Sequence, residues 1–276
     1  MTQQAVPSLQ DATFKALRDY IYEHTGIFVP DTKKYFLENR LARRITDNKL
    51  SGFDEYLPFL RSRGDEELKI LYGVITTNET YFFREPQQFD VFTKHILPRI
   101  LDRKRNKEIR VWSAACSSGE EPYTVAAILK ETAPTVRTEI IGSDISNGVL
   151  ESAKRGVYSS YAVRIVPPYY QQKYFRCTGE TYEFDEALRK SVRFMNVNLI
   201  DDKSVRAIRD VDVIFCRNVL IYFDDKSKRK AVSLLYDALA PNGFLLVGTS
   251  ESLHNVTRAL QPTVIDRVVL YQKAGS

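Results

Sequence analysis

The sequence VWSAACSSGEEPY, at residues 111–123, determines how the larger part of this chain folds. Apolar residues at 109–112 are typical of a buried strand, and the small residues at 113–119 let a ligand approach the backbone closely. Glu120 and Glu121 then begin a helix. The sequence therefore predicts a strand, a ligand-binding loop and a helix in that order.

A second strand follows at residues 140–146, IIGSDIS, and places Asp144 near its tip. An acidic residue there suits a ribose diol, as in dinucleotide-binding folds. The two glutamates that begin the preceding helix would repel a phosphate, so the pattern predicts a ligand that is positively charged near the loop. As alternatives, the glutamates only complement the helix dipole, and Asp144 only caps the next helix.

Size and composition indicate a globular protein with one large core and a smaller domain. The chain has 276 residues, of which 43% are hydrophobic. It contains no apolar run of about 18 residues and no basic segment followed by an apolar one at its start, so we expect a cytoplasmic protein without a membrane span or secretion signal. Cys116, Cys177 and Cys216 lack metal-ligand spacing, which predicts neither disulfides nor a metal site.

The hydrophobic periodicity predicts three regions along the chain. Residues 1–75 contain short amphipathic segments, of which the first ends at Gly26, and form an all-helical domain. Residues 76–108 form a linker between the helical domain and the rest of the chain. In residues 109–276 strands alternate with helices, which indicates an α/β domain with a mostly parallel sheet covered on both faces.

Two segments of the α/β domain depart from this alternation. Residues 174–194, YFRCTGETYEFDEALRKSVRF, alternate polar and apolar side chains around turn signals and predict a small antiparallel β insert. Residues 263–273, TVIDRVVLYQK, alternate like an antiparallel edge strand that closes the sheet. The insert is either a partner contact or a hairpin without a role in binding.

A basic face is predicted near the start of the chain, which carries a formal net charge of +5. Lys33, Arg40 and Arg44 recur close to one side of a helix, and Arg43 lies beside them. Such a face suits an acidic helix or nucleic acid phosphates. The alternative is a solvated face without a partner.

Several segments together carry a resemblance to a known family. They are NETYFFRE at 78–85, VWSAACSSGEEPYT at 111–124, GSDIS at 142–146, IFCRNVLIYF at 214–223 and GFLLVGTSESL at 243–253. In this order and spacing they resemble the CheR family of chemotaxis receptor methyltransferases, over nearly the whole chain. The resemblance implies an S-adenosylmethionine-dependent methyltransferase fold, which is Rossmann-like, with an N-terminal helical domain.

The resemblance also implies an activity and a partner. A methyl group would pass from S-adenosylmethionine to glutamate carboxylates on the cytoplasmic helices of a chemoreceptor, giving glutamate methyl esters and S-adenosylhomocysteine. A glutamate is already an anion at neutral pH, so no general base is needed, and no metal is expected. We expect a monomer that neither binds nucleic acid nor inserts into a membrane.

The matching motif positions imply a set of cofactor-binding residues. These are Asn78, Thr80, Arg84, Glu121, Asp144, Asn198, Leu199, Arg217 and Asn218. By chemistry, Glu121 suits the ammonium of the cofactor and Arg84 its carboxylate. Asp144 suits the ribose hydroxyls, and Asn198 with its neighbours suits the adenine edge. For Arg84 the alternative is a surface ion pair with a nearby carboxylate.

Catalytic and substrate-binding residues follow from the same resemblance. Arg84 and Tyr222 are candidates to orient the substrate carboxylate, although Tyr222 is equally explained as a packed ring. The residues expected to recognise the acidic receptor helices are Lys33, Arg40, Arg43 and Arg44. Family members that dock on a peptide at the receptor C-terminus have a longer insert hairpin, so this compact one predicts independence from that tether.

Two rival functions stay open. The sequence IVPPYY, at residues 165–170, is similar to the core of amino-methylating enzymes that flip bases, which suggests a nucleic-acid methyltransferase. It lacks the leading Asp or Asn of that core and is more simply a turn with packed rings. The second rival is a catalytically silent adapter that binds the nucleoside.

Overall fold

The computed structural model describes residues 8–104 and 107–275. The residues before 8, which the sequence analysis included in the helical domain, lie outside the described ranges. Contacts divide the chain into two compact units. One unit contains the residues up to Thr77 together with Tyr222–Ser227, and the other contains Asn78–Ile221 and the residues from Lys228 onward. No helix in the described ranges is long and apolar enough to cross a bilayer.

The first unit is helical, as predicted. Its helices are α1 (Asp11–Thr25), α2 (Lys34–Asp47), α3 (Tyr56–Arg63) and α4 (Asp65–Ile75). Gly26 ends α1 in the left-handed conformation, with φ of 72°, which a residue without Cβ adopts at little cost. Leu17, Leu37, Leu41 and Tyr56 are fully buried and form the centre of its core.

The second unit contains a seven-stranded sheet and a separate three-stranded sheet. The strands are β1 (Glu108–Ala114), β2 (Arg137–Asp144), β3 (Val157–Ser159), β4 (Phe175–Thr178), β5 (Thr181–Phe184), β6 (Val192–Asn196), β7 (Val211–Cys216), β8 (Leu239–Val247), β9 (Leu260–Ile265) and β10 (Val268–Lys273). The large sheet has the order β6-β2-β1-β7-β8-β10-β9. Its first five strands are parallel, and β10 and β9 are antiparallel, which confirms the predicted fold class.

Helices connect the strands of the second unit. They are α5 (Pro86–Val91), α6 (Leu97–Arg103), α7 (Glu120–Thr132), α8 (Asn147–Arg155), α9 (Ser160–Val163), α10 (Pro168–Tyr174), α11 (Glu186–Lys190), α12 (Asp202–Val205) and α13 (Asp225–Ala238). A π-helical turn, Phe92–Ile96, joins α5 to α6. Both strands at the centre of the sheet, β1 and β7, are buried nearly throughout because both faces of the sheet are covered.

The predicted bounds of the β insert are partly wrong. Strands β4 and β5 form the expected hairpin, and β3 pairs with β5 on its other side. Residues 192–194, which the prediction of an insert at 174–194 included, belong to β6 instead and pair in parallel with β2 in the large sheet. The alternation of polar and apolar residues identifies a half-buried strand but does not indicate which sheet it joins.

The predicted single edge strand at residues 263–273 is two strands. Asp266 and Arg267 adopt φ of 48° and 66°, and this tight turn folds β9 back on β10. Turns of this kind are usually signalled by Gly or Asn, and here neither is present. The antiparallel sense of the prediction is confirmed, with β10 paired to β8 and β9 at the edge.

Candidate functional site

Four neighbouring parallel strands end at one edge of the large sheet, where several of the predicted cofactor residues lie at the strand ends or follow them. Strands β6, β2, β1 and β7 end side by side, with Asp144 in register with Asn196, and Ala114 with both Ser143 and Cys216. We call this the carboxyl edge. Ligands of open α/β sheets bind in the crevice outside this edge, so the loops that follow these strands form the candidate site.

Asp144, at the end of β2, connects two of these loops. One carboxylate oxygen accepts a hydrogen bond from the backbone N–H of Ser117 at 2.9 Å, and the other accepts from that of Ser146 at 3.0 Å. Burial raises the pKa of Asp144, and the backbone hydrogen bonds oppose that rise. A carboxylate has about four acceptor positions, so Asp144 can still accept from a ribose hydroxyl.

A buried ion-pair network lies between β1, β7 and the linker. The Arg217 guanidinium donates to the Glu121 carboxylate at 2.8 Å and lies 3.2 Å from the Glu85 carboxylate. Ser113 donates its hydroxyl to Glu121 at 2.6 Å. Burial alone would raise the pKa of Glu85, but the Arg217 charge and hydrogen bonds outweigh it and lower that pKa. With two carboxylates and one guanidinium, the network keeps one net negative charge, which favours a cationic ligand group.

Glu85 and Glu251 are site residues that sequence reasoning missed. Glu251 accepts from the backbone N–H groups of Asn218 and Gly248, both at 2.7 Å, and so joins the loops after β7 and β8. At Gly248 an added Cβ would lie 2.8 Å from both the Asn218 side-chain nitrogen and the Glu251 carboxylate, so a larger residue would displace these two side chains. The segment GTSESL contains Gly248 and Glu251, but its residue types do not indicate these contacts.

The linker, residues 76–108, contacts the loop that follows β1. The Asn78 carbonyl accepts from the Ser117 hydroxyl at 3.4 Å, and the Arg84 guanidinium donates to the Glu79 carbonyl at 2.7 Å. Thr80 is half-buried between them. Within the described ranges no carboxylate oxygen lies within 4.0 Å of the Arg84 guanidinium nitrogens. The alternative of a surface ion pair is therefore not found there.

Several residues in these loops adopt left-handed backbone conformations. The non-glycine residues concerned are Phe83, Glu85, Ala115, Ser117 and Asn218, with φ between 50° and 63°. Such conformations cost free energy for residues with a Cβ and cluster at ligand sites, where the surrounding contacts hold them in place. The site is therefore rigidly shaped by its own loops. On its far side, Leu199 is buried, and the Asn198 side chain accepts from the Ile200 N–H at 3.2 Å.

The basic face of α2 is only partly available to a partner. Arg44 lies 2.6 Å from the buried Glu67 carboxylate, which also accepts from the Tyr56 hydroxyl at 2.8 Å. Arg40 donates to carbonyls at the end of α4. Helical spacing placed these cations on one side of α2 but did not show that α4 packs there. Lys33 and Arg43 are exposed, and 87% of the Arg43 side chain is accessible.

Tyr222 lies in a short turn, and the IVPPYY segment leads into a helix. Tyr222 ends a 3-10 turn, Leu220–Tyr222, and its carbonyl accepts from the Phe28 N–H at 2.9 Å. Its hydroxyl makes no hydrogen bond to any described residue, and the side chain is half-buried. Pro168 begins α10, and the Tyr170 ring packs 4.9 Å from that of Phe83. Packing therefore accounts for Tyr170.

The charged and polar side chains at the carboxyl edge fit S-adenosylmethionine. Its ammonium matches the net negative charge at Glu121, its carboxylate matches the unpaired Arg84, and its ribose matches the buried Asp144. Asn198, which follows β6, and its neighbours match the adenine edge. A phosphate-containing ligand fits less well because the buried carboxylates would repel it.

Comparison with known proteins agrees with this fit. The family described as CheR methyltransferase, SAM binding domain, matches residues 78–269, and the CheR methyltransferase all-alpha domain matches residues 12–76. The chain is 41% identical to chemotaxis protein methyltransferase 2 of Vibrio cholerae over 254 residues, which cover 90% of this chain and 88% of that one. It is 36% identical to the chemotaxis protein methyltransferase of Escherichia coli, over 91% of this chain and 88% of that one. The chain therefore belongs to the CheR family of S-adenosylmethionine-dependent chemotaxis methyltransferases.

Proposed function

We propose that this protein methylates glutamate side chains on the cytoplasmic helices of a chemoreceptor. The observations that support the proposal are Asp144 at the end of β2 and the Glu121 carboxylate held by Arg217, in a chain that belongs to the CheR family. Glutamate methyl esters are the product. The protein works in the cytoplasm, as a monomer.

The cofactor pocket is formed by the residues that the motifs named. When bound there, S-adenosylmethionine supplies a methyl group whose bond to sulfur breaks as a glutamate oxygen bonds to it, leaving S-adenosylhomocysteine and a neutral ester. Glu121 holds the ammonium, while Arg217 acts indirectly by fixing the Glu121 carboxylate. Asp144 orients the ribose, and residues 76–108 serve as the linker that closes the pocket.

The protein mainly positions the substrate carboxylate. A glutamate has a reference pKa of about 4.3 and needs no base at neutral pH. Its oxygen must approach the methyl carbon in line with the departing sulfur, and this alignment lowers the barrier by several kcal/mol. Opposite charges are neutralised in the reaction, so exclusion of water favours it. Arg84 and Tyr222 orient the carboxylate by hydrogen bonding, and too tight an ion pair would stabilise the ground state instead.

The substrate is an acidic helix that two exposed cations recognise, Lys33 directly before α2 and Arg43 within it. Lys33 and Arg43 are exposed, although Arg43 lies 3.6 Å from the Asp47 carboxylate, and complementary charge steers association. The hairpin of β4 and β5 has only Gly179 and Glu180 between its strands. This compact turn supports independence from a receptor tether peptide, and tight saturable binding of an isolated receptor C-terminal peptide would contradict it.

A methyl-release assay tests the proposal. The protein is incubated with methyl-labelled S-adenosylmethionine and a purified receptor cytoplasmic fragment, and the product is treated with alkali. We expect protein-bound label that alkali releases as volatile methanol, because only a carboxylate ester hydrolyses in this way. Label in added DNA or RNA would support a nucleic-acid methyltransferase, and no label with normal cofactor binding would support a silent adapter.

A further inference from the structure

Arg164, directly after α9, holds its charge against two aromatic rings at the protein surface. The guanidinium carbon lies 3.6 Å from the ring centroid of Tyr81 and 3.6 Å from that of Tyr161. One of its nitrogens donates to the Tyr161 carbonyl at 2.6 Å. Cation–π contact and this hydrogen bond fix the side chain before any ligand arrives, so little entropy is lost on binding.

The Arg164 charge is unpaired although a carboxylate lies close by. Glu79 accepts instead from the Tyr161 hydroxyl at 3.0 Å. Within the described ranges no carboxylate oxygen lies within 4.0 Å of the Arg164 guanidinium nitrogens. Arg164 is exposed, and 52% of Tyr161 is accessible. An ordered surface guanidinium with free N–H groups matches the geometry of a carboxylate.

This cation lies beside the linker that walls the cofactor site. The Phe82 N–H donates to the Ala162 carbonyl at 2.9 Å, which ties the linker to α9. The Arg84 guanidinium lies 5.6 Å from the ring centroid of Tyr81, the same ring that Arg164 contacts. Two cations therefore share one tyrosine, one of them at the proposed reaction centre.

We propose that Arg164 binds a second carboxylate of the substrate helix while Arg84 orients the one that is methylated. The inference rests on the proposed function and names a specificity-determining residue for it. Acidic side chains three or four positions apart lie on the same face of a helix, about 5–6 Å apart at Cβ. A helix with a single glutamate would lack the second contact, so the enzyme prefers glutamates that have an acidic neighbour one turn away.

Steady-state kinetics with Arg164→Gln test this role. The probes are a receptor cytoplasmic fragment and a variant of it in which the acidic residues one turn from each methylated glutamate are changed to glutamine. We expect Arg164→Gln to raise the KM for the unaltered fragment about tenfold and to leave kcat and the Kd for S-adenosylhomocysteine within about twofold. The two fragments, which differ in KM with the unaltered enzyme, become equivalent with Arg164→Gln.

Two control variants separate charge from structure. Arg164→Lys keeps the charge and loses the planar fork, so its KM rises only about two- to threefold. Arg137→Gln removes an exposed arginine at the opposite end of β2 and leaves the KM unchanged. An unchanged KM in Arg164→Gln overturns the inference, as does a parallel loss of S-adenosylhomocysteine binding, which would show that Arg164 only holds the linker in place.

Failure of the inference is distinct from failure of the proposed function. If the unaltered protein forms no methyl ester, the proposed function is wrong, and fluorescence anisotropy of the labelled receptor fragment then measures the docking step by itself. Weaker, less salt-dependent binding by Arg164→Gln would still support an acidic-helix contact at Arg164. Equal binding by both proteins would overturn it.

Discussion

The guanidinium of Arg217 donates to the carboxylate of Glu121 across 2.8 Å, with only 2% of the arginine side chain exposed. The same guanidinium approaches Glu85, so a single buried cation holds two carboxylates from distant segments. A buried ion pair adds little net stability over an apolar contact, but removing one partner leaves an uncompensated charge. Arg217 therefore fixes the shape and charge of the site.

Replacement of Arg217 by methionine should strongly destabilise the protein. Glu85 and Glu121 would both lie partly buried without a cation, so the free energy of unfolding should fall by about 3–5 kcal/mol. Urea unfolding measures this. Arg137→Gln, which breaks only an exposed pair with Glu108, should change it by less than about 0.5 kcal/mol. A loss below about 1 kcal/mol in Arg217→Met would contradict the network described here.

Asp144→Asn should weaken cofactor binding. Two backbone N–H groups, from Ser117 and Ser146, need acceptors at this side chain, and an amide offers only one oxygen. We expect the Kd for S-adenosylhomocysteine to rise at least about tenfold by calorimetry, equivalent to about 1.4 kcal/mol. Asp237→Asn, an exposed change on α13, serves as the control. Equal affinity of both variants would remove Asp144 from the pocket.

Glu120 should make stability depend on pH. Burial raises its pKa from 4.5 to about 7, while hydrogen bonds from its own backbone and from Ser118 oppose the rise. Between about pH 4.5 and 7 the folded state therefore binds one more proton than the unfolded state. The stabilisation that this protonation of Glu120 gives is complete below about pH 4.5 and is lost as the pH rises through about 7. Glu120→Gln should raise the free energy of unfolding at pH 8 by about 2–3 kcal/mol relative to its effect at pH 5. Urea titrations at both pH values check this, and a pH-independent difference would exclude it.

Substitutions of the basic residues in and directly before α2 should have two kinds of effect, one on stability and the other on substrate binding. Arg44→Gln leaves the buried Glu67 unpaired and should lower the free energy of unfolding by about 2–4 kcal/mol. The double change of Lys33 and Arg43 to glutamate should leave stability within about 0.5 kcal/mol and raise the KM for the receptor fragment. Its KM should also depend less on salt. If that KM and its salt dependence stay unchanged, the exposed cations are only solvated.

Tyr222→Phe should lower turnover and preserve cofactor affinity. Its hydroxyl is available, and a hydrogen bond to a charged carboxylate contributes about 1.5–3 kcal/mol, so loss of part of it should reduce kcat about tenfold. The Kd for S-adenosylhomocysteine should remain the same. Single-turnover methylation of the receptor fragment measures the chemical step directly, and an unchanged rate would assign the ring to packing alone.

Some of the missed features lay beyond any local pattern. Residues 192–196 have the alternation of a half-buried strand, but their pairing with β2 depends on the chain between them. Asp266 and Arg267 turn the chain without a glycine signal, because the strands on both sides hold them in that conformation. Arg44 was assigned to a partner although its charge is committed to Glu67.

The sequence alone determined the order of strands and helices, the parallel sheet and the ends of β1 and β2 where ligand groups are expected. Apolar runs and helical periods are local, so burial of each element follows from its own residues. Tertiary structure decided which charges meet, as with Arg217 between Glu85 and Glu121, or Arg164 against Tyr81. Such contacts join residues far apart in the chain, and their distances depend on how whole elements pack.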